Sequence, residues 1–199
     1  MSTFNEVYNN IISITGRHDL QSFIEGRINS AISLLSASGK FKDDLIEITQ
    51  VVDGDKYVQS VSLPARFRSI AYIDYPEIDP CDEPIINLDL SSLGHRSSRL
   101  KSNVYYVSGN LLHIKHDKLT PNFLIGYYEY PAPLSGNDTN WILTRFPALV
   151  EEIVIGQIRI ITGAVEGASY INQLTMMQRS IWLNDAMETG QHNVDSGRS

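Results

Sequence analysis

Histidines are the side chains in this sequence best suited to metal binding or proton transfer. His113 and His116 are three residues apart, with Asp117 beside them, and metal ligands can have this spacing. No second cluster completes such a site, and a continuing strand would turn the two rings to opposite faces. We therefore interpret the pair as the solvated end of a strand and expect no metal site. The complete set of histidines is His18, His95, His113, His116 and His192.

Carboxylates are concentrated in segment 74–89, which contains no Lys or Arg. Clustered carboxylates can bind Mg²⁺, so a small metal-dependent hydrolase or nuclease is one alternative function. Three prolines predict an exposed, irregular loop instead, and such a loop is a poor rigid metal cage. Basic residues follow directly, so the two segments could pair within the domain or between subunits. The acidic residues are Asp74, Glu77, Asp79, Asp82, Glu83 and Asp89; the basic ones are His95, Arg96, Arg99 and Lys101.

Known catalytic signatures give no further candidates. The sequence has no P-loop, dinucleotide fingerprint, nucleophile elbow or zinc-finger spacing. Glu151 and Glu152 are adjacent on a predicted helix and point about 100° apart, a poor arrangement for a paired acid and base. We expect no catalytic residues, no cofactor and no enzymatic activity.

Composition limits the class of partner. The chain of 199 residues is long enough for one good-sized domain. It is 42% hydrophobic and carries a net charge of −7. An acidic balance argues against a nucleic-acid or membrane surface as the main partner. The longest apolar stretch, 146–161, is interrupted by charged residues and is not a membrane span.

The first forty residues predict two helices. Thr3 and Glu6 have the spacing of a capping box at the start of the first helix. Gly16 ends that helix, and Asp19 is the expected N-cap of the second. The second helix ends at residues 38–40.

Alternating apolar residues predict strands in the middle of the chain. The pattern of residues 45–52 and 57–63 predicts a hairpin around the turn Asp53-Gly54-Asp55. A strand follows at 67–75, then a second hairpin with its turn at 108–110, then a strand at 123–130.

The last third returns to helical periodicity. Pro147 suits the first turn of a helix that extends to about residue 164 with a wide apolar arc. A final helix carries Met176, Met177, Ile181 and Trp182. Either the sheet covers this apolar surface, or part of it is an interface, where Met and Trp are common.

The order of elements predicts an α+β fold. We expect a helical bundle built from N- and C-terminal helices, with a central antiparallel β-rich insertion. The expected ring-forming helical part is discontinuous, residues 1–40 and 139–188, and the β-rich part is 41–138. Residues 189–199 are expected to be a flexible C-terminal tail because they contain almost nothing to bury.

Two stretches resemble the head-to-tail adaptor (connector) proteins of tailed bacteriophages, especially podovirus-like ones. Residues 139–149, Thr-Asn-Trp-Ile-Leu-Thr-Arg-Phe-Pro-Ala-Leu, are similar to the Thr-x-Trp-Leu … Pro-x-Leu motif before the family's penultimate helix. Residues 63–67, Leu-Pro-Ala-Arg-Phe, are similar to its Leu-x-Pro-x-Phe strand start. The chain departs from the family pattern at Ala148, where Asp is usual, and at Phe41, near which the family often has Trp.

The resemblance implies a twelvefold homo-oligomeric ring, docked beneath the phage portal protein at the head-tail junction of the virion. The helical part would build the ring and meet the portal, and the strand-rich part would face the tail or nozzle protein. DNA would pass through the channel without specific binding. The partner-binding residues expected from the last helix and the tail are Met177, Ile181, Trp182, His192, Asn193, Val194 and Arg198.

A monomeric peptide-binding module is the other alternative. In such a module an edge strand accepts a strand from a partner. Because this module would stay monomeric, its oligomeric state separates it from an adaptor.

Overall fold

Local signals along the chain begin and end most of the helices and strands in a computed structural model of the protein. The structure describes residues 1–51, 58–75, 85–88, 103–116 and 122–164. Within these ranges the helices are α1 Phe4–Thr15, α2 Gln21–Ala37, α3 Trp141–Arg145 and α4 Pro147–Ile161. The strands are β1 Leu45–Val51, β2 Val58–Ser62, β3 Phe67–Asp74, β4 Ile86–Asn87, β5 Val104–Ser108, β6 Leu111–Lys115 and β7 Asn122–Glu129.

The fold is α+β, as the sequence predicts. Four α-helices and two sheets make up the regular structure of the described residues. Contacts divide the described residues into two compact units, one from Met1–Asp44 together with residues 130–164, the other from Leu45–Glu129. The domain limits inferred from the sequence stay a prediction.

The helical unit begins with the capping box that the sequence predicts. The Thr3 N–H donates to Glu6 Oε2 over 3.0 Å, and the Glu6 N–H donates to Thr3 Oγ1 over 3.3 Å. Gly16 ends α1 with φ of 65°, a left-handed conformation that glycine adopts without strain. Asp19 is not the N-cap of α2, because a 3-10 turn at His18–Leu20 precedes that helix and Asp19 pairs with Arg17 over 2.7 Å.

One apolar core unites α1, α2, α3 and α4. The wide arc of α4 is buried against α1 and α2 rather than left for a partner, and Ile161 at its end remains 60% exposed. Burying one such aliphatic side chain contributes about 1.5–3 kcal/mol, so this cluster is the main stabilising feature of the unit. The buried α4 residues are Val150, Ile153, Val154, Ile155 and Ile158.

The strand unit contains a three-stranded sheet, β1-β7-β3, and a four-stranded sheet, β2-β6-β5-β4. Apolar side chains of both sheets form its core, with Leu112, Ile114, Phe123 and Ile125 nearly fully buried. The second predicted hairpin is confirmed, since β5 and β6 pair antiparallel from Ser108↔Leu111 to Val104↔Lys115.

The first predicted hairpin is wrong. β1 pairs with β7, in register Leu45↔Tyr128, and β2 pairs with β6, in register Ser62↔Leu111, so the two strands lie in different sheets. The turn signal at residues 53–55 lies outside the described residues. A turn motif by itself does not decide which strands pair, because pairing also depends on which apolar faces pack in the same layer.

In the three-stranded sheet, Tyr72 of β3 lies over Gly126 of β7 and donates a hydrogen bond to Glu47 of β1. A Cβ at position 126 would lie 2.5 Å from Tyr72 Cε1. The glycine therefore permits the close approach of the ring.

Across the described ranges, every helix is too short or too polar to cross a lipid bilayer.

Candidate functional site

Residues 139–149 form the short helix α3 and the start of α4. Asn140 caps α3, its Oδ1 accepting from the Leu143 N–H over 2.9 Å. Phe146 leaves the helical conformation, with φ of −131° and ψ of 41°. Pro147 then starts α4 at a position where its missing N–H is not needed. The helix start predicted at Pro147 is confirmed.

Trp141 connects this stretch to the N-terminal part of the chain. Its indole Nε1 donates to Asp44 Oδ1 over 2.7 Å, and its ring centroid lies 5.0 Å from that of Phe41. Ser36 at the end of α2 donates to the other oxygen, Asp44 Oδ2, over 2.7 Å. Asp44 is only 5% exposed, so a buried carboxylate is held by one donor from the end of α2 and one from the start of α3.

A surface ion pair lies beside this cluster. Arg145 Nη1 is 3.2 Å from Asp43 Oδ2, and both side chains are about one-third exposed. An exposed pair of this kind contributes only about 0–1 kcal/mol. The buried hydrogen bonds of Asp44 are therefore the stronger link.

Residues 63–67 lead into β3, which begins at Phe67. The Phe67 N–H donates to the Pro64 carbonyl over 3.0 Å, and the Leu63 N–H donates to the Asn110 carbonyl over 2.8 Å. This stretch belongs to the strand unit, whereas residues 139–149 belong to the helical unit.

An open groove of about 500 Å³ lies between α1, α2 and the loop at 134–136. The side chain of Asn29 makes two hydrogen bonds to the backbone of this loop. Its Nδ2 donates to the Leu134 carbonyl over 3.0 Å, and its Oδ1 accepts from the Leu134 N–H over 2.8 Å. The lining contains one acidic residue and no basic residue. It consists of Phe4, Asn5, Tyr8, Asn9, Gln21, Ser22, Glu25, Gly26, Asn29, Leu134, Ser135 and Gly136.

Gly26 is the unusual residue of this lining. It lies inside α2, where glycine costs roughly 0.5–1 kcal/mol relative to alanine. A Cβ at this position would meet no atom within 4 Å outside the helix's own neighbouring backbone, so no described residue requires glycine here. In the sequence, the one signal of this groove is a glycine within a helical pattern.

The two central histidines have different surroundings, since His113 lies within β6 and His116 directly follows it. His113 Nδ1 is 2.9 Å from Ser60 Oγ, and its ring stacks on Tyr106 at 4.7 Å. His116 is 2% exposed and meets the ring of Phe123 edge-on at 5.2 Å. The interpretation of both as a solvated strand end is therefore wrong for His116. Within the described residues, no group of three potential metal ligands comes together.

The predicted partner-binding residues Met177, Ile181, Trp182, His192, Asn193, Val194 and Arg198 lie outside the described residues. Most of the acidic segment 74–89 and all of the basic residues that follow it also lie outside. Of the acidic segment, Asp74 is described and exposed, and it caps the following Tyr75 N–H over 2.8 Å.

Comparison with known proteins adds no relative: the chain matches no protein-family profile and no curated protein.

Proposed function

We propose that this chain is a structural head-to-tail adaptor of a tailed bacteriophage. In this proposal it forms a ring beneath the portal protein and joins the portal to the tail or nozzle, leaving a channel for DNA. The observation that carries the proposal is the arrangement around Trp141. This tryptophan of the family-like stretch packs against Phe41, with ring centroids 5.0 Å apart, and donates a hydrogen bond to the buried Asp44.

The proposed architecture is a helical bundle built from both ends of the chain, with a central antiparallel β-rich insertion. Support comes from the single apolar core that α1, α2 and α4 share, although about 110 residues separate α2 from α4 in sequence. The strands of the other unit come from the intervening residues. In the proposed ring the helical part meets the portal, the strand-rich part faces the tail, and residues 189–199 act as a docking arm.

The charge balance supports passage of DNA without specific binding. A net charge of −7 favours repulsion of the phosphate backbone over adhesion to it. The proposed location is the head-tail junction of the virion, after synthesis in the bacterial cytoplasm, and the proposed role is non-catalytic.

Negative-stain imaging of the purified protein, alone and mixed with a portal ring, tests the proposal. We expect rings with closed cyclic symmetry, twelvefold when seated on the portal. A protein that stays monomeric and does not bind the portal would support a peptide-binding module instead. Reproducible Mg²⁺-dependent hydrolysis that is lost on mutating one carboxylate of segment 74–89 would support the hydrolase alternative.

A further inference from the structure

The groove between α1 and α2 has the chemistry of a site for an arginine-bearing polypeptide segment. Glu25 provides a half-buried carboxylate and Tyr8 a half-buried aromatic ring, and both line the groove. Carboxylates bind guanidinium groups through two parallel hydrogen bonds, and aromatic faces attract them. The amide side chains of Asn5, Asn9 and Gln21 line the groove as well and offer carbonyl oxygens as further acceptors.

Asn29 fixes one wall of the same groove, because its side-chain amide binds both the N–H and the C=O of Leu134. One turn before Asn29, Gly26 leaves open space on the helix surface, and no described residue fills it. A glycine at this place allows a second backbone to approach α2 closely.

We propose that the groove binds residues 95–101 of a second copy of this chain. This segment reads His-Arg-Ser-Ser-Arg-Leu-Lys, with Arg96, Arg99 and Lys101 and no acidic residue. Its charge complements the groove, whose lining contains Glu25 and no Lys or Arg. Ser97 and Ser98, between the two arginines, are small enough to lie against Gly26. The inference rests on the proposed homo-oligomer and supplies one of its subunit contacts.

A fluorescein-labelled peptide of residues 94–102, titrated into the full-length protein and followed by fluorescence anisotropy, tests the site. We expect saturable binding that weakens about tenfold with Glu25→Gln, the size of one charge-assisted hydrogen bond. Gly26→Leu should abolish binding by filling the open space. Ala37→Leu, at an exposed position of α2 outside the groove, is the matched control and should leave binding unchanged. The peptide with both arginines replaced by glutamine should not bind.

Failure of the native peptide to bind, or equal binding to the Gly26→Leu protein, overturns the inference. Sedimentation of full-length Arg96→Gln/Arg99→Gln then tests the source of the segment, because subunit association should fall about tenfold or more. Unchanged association also overturns the inference, since the segment would not link two copies. If the peptide does not bind but rings still form on the portal, the adaptor proposal survives without this contact. If the peptide binds but the protein does not bind a portal, the adaptor proposal fails, whereas the assignment of the groove as the binding site of this segment stands.

Discussion

Trp141 donates its indole N–H to Asp44 over 2.7 Å, although 97 residues separate the two in sequence. Asp44 is buried at the end of the N-terminal part of the chain, and Trp141 begins the helices of the C-terminal part. This bond therefore joins the two halves of the helical unit at a point where a charged oxygen needs a donor.

We expect Trp141→Phe to destabilise the helical unit by about 1–3 kcal/mol. Phenylalanine keeps an aromatic ring near Phe41 but removes one hydrogen bond from a buried carboxylate. Urea denaturation followed by far-UV circular dichroism measures the change. Arg145→Ala, which breaks the neighbouring surface pair, is the control and should cost no more than about 1 kcal/mol. Equal effects of the two variants would show that the indole bond contributes little.

Gly126→Ala should destabilise the strand unit by about 1–3 kcal/mol, because the added Cβ would overlap the Tyr72 ring. Gly26→Ala is the matched control. It adds the same methyl group where nothing lies within 4 Å, and it should be neutral or stabilise by about 0.5–1 kcal/mol through helix propensity.

A second variant separates this overlap from backbone strain in the Gly126→Ala protein. In the Tyr72→Ala protein, Gly126→Ala should cost less free energy of unfolding than it does in the parent protein, since the clashing ring is gone. Thermal melts of the two single variants and the double variant measure this difference. An equal cost in both proteins would mean that the cost lies in the backbone of β7 rather than in the contact.

Alkaline pH should weaken the strand unit through Tyr105. Burial raises the pKa of its phenol above the ordinary value of about 10. The folded state therefore favours the neutral phenol. Its stabilising contribution is complete below pH 10 and is lost as the pH rises through the higher folded pKa. Tyr105→Phe should reduce the loss of stability between pH 9 and 11.5, as measured by urea midpoints. Tyr130→Phe, at an exposed position, should leave that loss as in the parent protein.

Ile181→Asp/Trp182→Asp should abolish portal binding or ring closure, because two charges replace the apolar residues that we propose for the interface. Portal pull-down and negative-stain imaging measure the effect. Ile161→Asp, at an exposed position at the end of α4, should leave portal binding intact. If circular dichroism shows that the double variant has unfolded, Ile181 and Trp182 are core residues and their place in the interface is wrong.

The sequence alone determined the features that depend on neighbours within a few residues. Thr3 and Glu6 start α1, Gly16 ends it, Pro147 starts α4, and Gly109, with φ of 62°, makes the turn between β5 and β6. Each is a signal whose hydrogen bonds or backbone angles involve residues at most four apart, so reading the chain in order recovers it.

Only the tertiary structure decided which distant segments meet. β1 has an alternating pattern that suits any sheet edge, and its partner is β7 rather than the adjacent β2. The bond from Trp141 to Asp44 and the groove beside Gly26 likewise depend on segments about 100 residues apart. Which strands pair depends on how the apolar faces of the whole chain are buried together. A short stretch of sequence does not decide this, because an alternating strand is compatible with several partners until the core is assembled.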